Sequence, residues 1–328
     1  MRRREVIALF GGAGAATLLR PPAARAQQAA LPVVGFLNAG SADAARVTAF
    51  HQGLSETGNV EGQNVTVESH WLEGQYDRLP ALVGDLVHRQ VAVIATIGAV
   101  PALAAKAATA TIPIVFGVGE DPVQLGLIAS LARPGGNATG INFFSQEVVA
   151  KRLRLLHDLV PKAVRIAVIL NPGNASTAKS TLRDLQEAAP AIGLQIQILN
   201  AKTTGEIDAA FATFARERPD ALFVGPDGFF NSRGVQFATL TARDRIPAAY
   251  ENRTIVAAGG LMSYGTDLAD MFRQAGIYAG RILKGARPAE LPVLQSTKFE
   301  FVINLQTARA LGIDVPPGLL SIADEVIE

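Results

Sequence analysis

From residue 33 onward, short apolar segments of β type alternate with segments of helical periodicity almost without interruption. Continuously apolar segments such as Val33–Leu37 are typical of strands that are buried on both faces of a sheet. Since helical segments separate them, the sequence predicts a doubly wound parallel α/β sheet, which binds ligands beyond the carboxyl ends of its strands. We expect strands at 33–37, 65–68, 91–95, 114–116 and 138–141, with helices near 44–57, 77–89, 100–108 and 122–132.

The same alternation begins again after a helix predicted at 147–159, so the sequence predicts two α/β lobes in tandem. The remaining C-terminal segment is too short for a third domain and is predicted to return and complete both sheets. We expect strands at 163–170, 194–199, 221–224 and 246–250, with helices at 176–192, 205–216 and 233–243. The predicted domain boundaries are 31–142 plus 256–290 for lobe 1, and 143–255 plus 291–328 for lobe 2.

The N-terminal segment has the three parts of a bacterial export signal. Arg2, Arg3 and Arg4 precede an apolar run from Val6 to Leu19, and small residues surround a cleavage site in Ala24–Ala26. The run of 14 residues is shorter than the roughly 18 to 20 that span a bilayer, so an uncleaved anchor is the less favoured alternative. We expect residues 1–26 to be a signal peptide, cleaved after Ala26, with export to the periplasm by the twin-arginine or the Sec route.

The charge balance changes when the signal is left out. Residues 1–26 hold five arginines and one acid, which leaves 25 basic and 28 acidic residues in the rest of the chain. This slightly acidic balance favours no nucleic-acid partner. The chain has no cysteine, which excludes disulfides and a lipid-modified N-terminal cysteine. We therefore expect contact with the membrane only through a partner protein.

Polar residues follow the predicted strands of the first lobe, where a ligand would bind. Asn38 and Ser41 lie in a small polar loop before a helix, and Ser41 can cap that helix or contact a carboxylate. Asp121 directly precedes Pro122, so it fits the N-cap of a helix as well as a ligand contact. The sequence leaves both roles open.

The second lobe has a corresponding set of loops after its strands. Asp227 precedes a glycine, so it fits either a turn or an acceptor for a ligand ammonium group, and Glu251 is an alternative acceptor. Tyr250 or Tyr264 could stack on an aromatic ligand, although aromatic residues in such positions are also common in the core.

The sequence shows no arrangement of residues that is typical of catalysis or metal binding. Its four histidines fall in predicted helices or at a strand end, with no His-x-x-x-His pair and no Gly-x-Ser-x-Gly segment. We expect a protein that is not an enzyme and that has no cofactor and no metal.

Several segments together resemble a known family. The most specific are Asp121-Pro122-Val123 and Arg133–Gly140, which reads RPGGNATG. With Ile112–Phe116, Asn171-Pro172 and Val302–Asn304, the sequence resembles the periplasmic substrate-binding proteins of ABC importers, in the family that includes tryptophan and phenylalanine binders. The resemblance covers nearly all of the chain after the predicted signal.

The resemblance implies two lobes of the type I periplasmic-binding fold, joined by hinge strands, that close on a small molecule such as an amino acid or another small organic solute. It implies a monomer that delivers this ligand to a membrane permease and an ATPase subunit. By analogy, we expect ligand contacts from Asn38, Ser41, Thr96 and Asp121 in lobe 1, from Phe144, Asn171, Asp227 and Tyr250 in lobe 2, and from Tyr264 near the hinge.

Two other classes of protein share such a fold and remain open at this point. A sensor protein would present its ligand to a membrane receptor instead of a permease. A secreted enzyme on a two-lobed frame would turn its substrate over.

Overall fold

The computed structural model describes residues 31–143 and 145–328. The predicted signal peptide and the predicted ligand contact Phe144 lie outside the described residues. Residues 31–328 form one compact unit, which contains two α/β lobes with separate sheets.

The first sheet is built from the N-terminal third of the chain, as the alternation predicts. Helix α1 begins where the carboxylate of Asp43 accepts a hydrogen bond from the backbone N–H of Arg46 at 3.0 Å. The elements are β1 (Val33–Asn38), α1 (Ala44–Glu56), β2 (Thr66–Trp71), α2 (Leu79–His88), β3 (Val93–Ile97), α3 (Ala99–Ala108), β4 (Ile114–Val118) and β5 (Ala138–Asn142).

The second sheet uses the middle of the chain. Its elements are α4 (Ser145–Leu159), β6 (Arg165–Leu170), α5 (Ala175–Ala191), β7 (Gln195–Asn200), α6 (Thr204–Glu217), β8 (Ala221–Val224), α7 (Gly228–Ser232), α8 (Gly234–Asp244), β9 (Ala248–Tyr250) and α9 (Arg253–Ala257). The C-terminal elements are β10 (Met262–Thr266), α10 (Leu268–Leu283), β11 (Leu294–Gln295), β12 (Phe299–Asn304), α11 (Leu305–Leu311), α12 (Pro317–Leu320) and β13 (Glu325–Ile327).

The strand order shows that the C-terminal segment completes both sheets, as predicted. Among the described residues, the first sheet has the order β11-β5-β4-β3-β1-β2 and the second the order β13-β12-β10-β9-β8-β6-β7. Neighbouring strands are parallel, except that β10 and β12 are antiparallel. Alternate residues of one strand enter different apolar clusters, since Val93 and Ala95 belong to one and Ile94 to another. Both faces of the sheet are therefore covered, as a doubly wound fold requires.

The chain passes between the two sheets after β5, after β10 and after β11. These crossing segments are joined to one another by hydrogen bonds. The backbone N–H of Ser296 donates to the carbonyl of Asn142 at 2.9 Å, and the hydroxyl of Thr266 donates to the carbonyl of Phe143 at 3.0 Å. The crossings therefore form one bundle of hinge strands between the lobes.

The C-terminal strands are distributed between the two lobes differently from the predicted domain boundaries. Strand β10 pairs with β9 and β12 in the second sheet, although residues 256–290 were expected in lobe 1. Strand β11 pairs with β5 in the first sheet, although 291–328 were expected in lobe 2. Helix α10 does belong to lobe 1, because a Cβ atom on Gly53 of α1 would lie 1.9 Å from the carbonyl oxygen of Arg273 in α10. Such close helix packing requires glycine at the contact.

The helix predicted at 122–132 does not form. This segment consists of turns, and Gly126 adopts the left-handed backbone conformation at φ +74°. A glycine in this conformation breaks a helix. The helix predicted after the Asp121-Pro122 pair was therefore wrong.

Candidate ligand-binding cleft

A cleft lies between the lobes at the carboxyl ends of strands from both sheets. It encloses about 690 Å³ of empty space, including the part that is open to solvent. Its polar side chains are Asn38, Arg46 and Glu120 from lobe 1 and Asn174, Thr177, Asp227, Asn231 and Glu251 from lobe 2.

Asp227 is the most buried of the acidic residues in the cleft, with 5% of its surface exposed. It caps α7, and its Oδ1 accepts hydrogen bonds from the backbone N–H of Phe229 at 2.9 Å and from the amide of Asn171 at 2.8 Å. Its Oδ2 accepts one from the amide of Asn174 at 3.1 Å. Burial raises the pKa of Asp227 above its ordinary value, and these hydrogen bonds oppose the rise. The backbone N–H of Phe230 is a fourth donor, 3.4 Å from Oδ1. Together these four donors fix the carboxylate in one orientation.

Glu120 lies opposite, in the loop after β4 of lobe 1. Its Oε1 accepts a hydrogen bond from the hydroxyl of Thr177 in lobe 2. Burial raises the pKa of Glu120, and the negative charge of Glu251 adds to this effect, while the hydrogen bond from Thr177 opposes it. Acidic groups from the two lobes therefore repel one another across the cleft.

Arg46 is the cation that lines the cleft among the described residues. It lies in the first turn of α1, and its side chain is 14% exposed. Its Nε is 3.7 Å from a carboxylate oxygen of Asp43. Burial lowers the pKa of Arg46, whereas the charges of Asp43 and Glu251 raise it. A guanidinium in this setting is suited to bind a carboxylate.

Two side chains of lobe 2, those of Asn231 and Arg152, interact with Glu251. The amide of Asn231 donates a hydrogen bond to its Oε2 at 3.0 Å. The fully buried guanidinium of Arg152 contributes a positive charge nearby, and Arg152 itself donates to the backbone carbonyl of Tyr264 at 2.7 Å. Burial lowers the pKa of Arg152 to about 10.

Apolar side chains form the remaining wall of the cleft, and most of them come from lobe 1. Met271 and Phe272 project from α10, and the ring of Phe272 lies 5.9 Å from that of Phe36 in the core. The apolar residues that line the cleft include Ile97, Ala99, Phe143, Leu268, Met271 and Phe272. The cleft thus combines charges of both signs with an apolar surface.

The structure brings only part of the predicted ligand set into this cleft. Asn38 and Asp227 line it, and Asn171 lies behind Asp227, to which it donates a hydrogen bond. Ser41 is half-buried and outside the lining, and Asp43, not Ser41, caps α1.

Other predicted contacts lie elsewhere. Tyr250 is fully buried in the core of lobe 2, where its hydroxyl is 3.1 Å from that of Thr241. Thr96 is fully buried within β3. Asp121 is exposed and caps a turn, accepting from the N–H of Val123 at 2.8 Å. Tyr264 is half-buried beside lobe 2 core residues, with its ring stacked 6.2 Å from that of Phe299.

Several residues of the cleft were not in the predicted set. Glu120 is adjacent to Asp121, so the sequence indicated the correct loop there but not the residue that faces the cleft. Phe143 also lines the cleft. Arg46 follows the first strand-end loop by one helical turn, which is a signal that could have been used. Asn174 and Thr177 sit at and just after the N-cap of α5.

None of the helices in 31–143 and 145–328 is both long and apolar enough to cross a membrane. In the same residues, no group of three or more histidine, cysteine or acidic side chains is arranged to hold a metal ion.

Comparisons with known proteins agree with the fold. A family model described as ABC transporter substrate binding protein matches residues 31–327. The chain is 27% identical over 264 residues to a tyrosine-binding protein of Clostridioides difficile (strain R20291), covering 80% of this chain and 75% of that protein.

Solved structures also resemble this fold. A conserved domain protein from Vibrio cholerae O1 biovar El Tor is similar with a TM-score of 0.83 and 27% identity, over 90% of this chain and 99% of that one. An ABC domain from Streptococcus pneumonia, solved in complex with L-Trp, has a TM-score of 0.80 and 23% identity, over 90% of this chain and 100% of that one.

Proposed function

The chain belongs to the family of ABC transporter substrate binding proteins, and we propose that its cleft captures an α-amino acid with an apolar side chain. Solute binding is the role of this family. The observation that most supports an amino acid is the pairing of a buried guanidinium with several carboxylates around one apolar cleft. A zwitterion with an apolar side chain complements all three features.

Arg46 is proposed to bind the ligand carboxylate. A guanidinium binds a carboxylate with two parallel hydrogen bonds, and these are strongest where water is excluded. The side chain of Arg46 is largely buried, so a ligand carboxylate would offset the cost of burying its charge. Asn38, which also lines lobe 1, is a further candidate for a polar contact.

Glu120, Asp227 and Glu251 are proposed to surround the ligand ammonium group. These acids belong to both lobes, and burial and mutual repulsion raise the pKa of Glu120. A cation placed between them would relieve the repulsion and favour the closed arrangement of the lobes. Asn171 and Asn174 act through Asp227 by holding its carboxylate in position.

The apolar wall is proposed to hold the side chain of the ligand. Phe143, Met271 and Phe272 offer aromatic and thioether surfaces, both of which pack well on aromatic or large aliphatic groups. The name of the tyrosine-binding relative supports an aromatic ligand for this chain, at 27% identity.

The arrangement favours binding over catalysis. Asp227 is fixed by several N–H donors, and a carboxylate held in this way serves as a stable counter-ion for a ligand. We propose that the protein is not an enzyme and that it delivers its ligand unchanged to a membrane permease served by an ATPase subunit. The export signal predicted in residues 1–26 supports a periplasmic location.

A thermal-shift screen tests the ligand class. The chain from Gln27 onward would be unfolded and refolded to remove any bound ligand, then heated with amino acids, sugars, purines, short carboxylates and aromatic acids. A ligand at 100 times its Kd stabilises by about 2.7 kcal/mol, which raises the melting temperature clearly. We expect shifts with apolar or aromatic amino acids. Shifts confined to sugars or purines would contradict the proposal.

A further inference from the structure

The two lobes touch beside the cleft through backbone atoms. Gly228, the first residue of α7 in lobe 2, lies against Ala39 and Gly40, which follow β1 in lobe 1. A Cβ atom on Gly228 would lie 2.6 Å from the carbonyl carbon of Ala39 and 2.8 Å from the backbone nitrogen of Gly40. Both distances are shorter than any van der Waals contact of a carbon atom.

This crowding comes from the opposite lobe. The three atoms nearest to a Cβ on Gly228 all belong to Ala39 and Gly40. The backbone of Gly228 is not in the left-handed region, so an alanine is compatible with its conformation. The closest collisions of a side chain at this position would therefore occur only when the lobes are together.

A second contact between the lobes lies on the same side of the cleft. A Cβ atom on Gly74 would lie 2.6 Å from the Cβ of Phe229. Next to it, a guanidinium nitrogen of Arg233 is 3.7 Å from a carboxylate oxygen of Glu73. The guanidinium of Arg233 also lies 5.6 Å from the centre of the Phe229 ring. Contacts between the loop after β2 in lobe 1 and residues 229–233 of lobe 2 therefore also hold the lobes together near Gly228.

We propose that Gly228 is a closure residue, whose lack of a side chain permits the lobes to reach the arrangement in which both face one ligand. This inference rests on the proposed capture of a solute between the lobes. A ligand that contacts both lobes gains full affinity only in the closed state, so a residue that limits closure limits affinity. Gly228 therefore acts on the position of the lobes and not through a hydrogen bond to the ligand.

The substitution Gly228→Ala tests this proposal, and Gly205→Ala is its matched control. Gly205 lies in the first turn of α6 in the same lobe, and a Cβ there would meet no atom within 4 Å. The chain has no cysteine, so two introduced cysteines can carry spin labels without background. The exposed residues Ala81 of α2 and Ala212 of α6 provide one labelling site in each lobe.

Pulsed electron spin resonance then gives the distribution of distances between the lobes. It would be recorded for the chain from Gln27 onward, unfolded and refolded to remove bound ligand, without and then with a mixture of the twenty amino acids. We expect the unsubstituted protein and Gly205→Ala to populate the short distance of this structure in at least one condition. Gly228→Ala should reduce that population about tenfold or more, with an unchanged melting temperature in the absence of added amino acids.

Two results would overturn the proposal. One is a short-distance population in Gly228→Ala equal to that of the control. The other is the lack of this population in the unsubstituted protein under both conditions. A short-distance population that does not respond to amino acids, but that Gly228→Ala removes, would refute the proposed ligand class and leave the closure role of Gly228 intact.

Discussion

The hydroxyl of Thr177 in lobe 2 donates a hydrogen bond to the carboxylate of Glu120 in lobe 1. Thr177 is also 3.0 Å from Oδ1 of Asn174, whose amide donates to Asp227. A continuous set of polar contacts therefore connects a carboxylate of one lobe with that of the other. These contacts exist only when the lobes are together, so they link closure to the arrangement of the polar residues that line the cleft.

Replacing Thr177 by valine is expected to weaken ligand binding. The substitution keeps the shape of the side chain but leaves the buried carboxylate of Glu120 without its donor from lobe 2. A hydrogen bond to a charged group contributes about 1.5 to 3 kcal/mol, so Kd should rise about ten- to 150-fold. Titration calorimetry would measure this with the amino acid that gives the largest thermal shift.

Thr239→Val is the control for that substitution. The hydroxyl of Thr239 donates only within α8, on an exposed face of lobe 2. Equal affinities for the two variants would show that the contact between Thr177 and Glu120 does not favour the bound state.

Asp227→Asn is expected to reduce ligand affinity by about tenfold to hundredfold with little loss of stability. Asparagine caps helices as well as aspartate does, and removing a buried charge offsets the loss of hydrogen bonds. Affinity would be measured by calorimetry and stability by thermal unfolding. Asp208→Asn, on an exposed face of α6, should change neither quantity. An unchanged affinity in Asp227→Asn would remove this carboxylate from the ligand site.

Ligand affinity is expected to fall as the pH is lowered. Burial raises the pKa of both Glu120 and Asp227, and a ligand ammonium favours their ionised forms. The complex then binds fewer protons than the free protein, so affinity rises as the pH increases through these raised pKa values and is lost below them. Calorimetry between about pH 5 and about pH 8 would measure this dependence. Glu120→Gln should flatten it, and a Kd that does not change over this range would contradict the prediction.

Gly53→Ala is expected to destabilise the protein by at least about 2 kcal/mol, because the added carbon would overlap the carbonyl of Arg273 where α1 meets α10. Gly84→Ala is the matched control, since a Cβ there would meet nothing within 4 Å inside α2. The control should be more stable than the unsubstituted protein by about 0.5 to 1 kcal/mol. Urea unfolding of both variants would measure these changes, and equal stabilities would contradict the close packing of the two helices.

The alternation of apolar and helical segments was sufficient to predict the two-lobed α/β fold and the return of the C-terminal segment to both sheets. It could not predict the lobe to which each short C-terminal strand belongs. Strand β11 has two residues, and β10 is buried much like the strands of either sheet. Their placement depends on pairing between distant segments, which carries no local signal.

The candidate site could be predicted to the level of loops. Asp121 and Glu120 are neighbours, and their side chains point to different sides of the chain, so only the path of the backbone decides which one faces the cleft. Tyr250 is the last residue of β9 and lies in the core, where its hydroxyl is satisfied by a hydrogen bond with that of Thr241. The sequence does not indicate this contact. Asp227 was identified because it follows a strand and precedes a glycine, which fits a turn or a ligand contact; in the structure it caps α7 and lines the cleft.

The most direct measurement is a calorimetric titration of the ligand-free protein with the twenty amino acids, followed by two analogues of the tightest binder. One analogue lacks the carboxylate and the other lacks the ammonium group. We predict that at least one apolar or aromatic amino acid binds, and that each analogue binds at least about a hundredfold more weakly, because Arg46 or the three acids would lose their partner. Binding of no amino acid, or equal binding of either analogue, would contradict the capture of a zwitterion in this cleft.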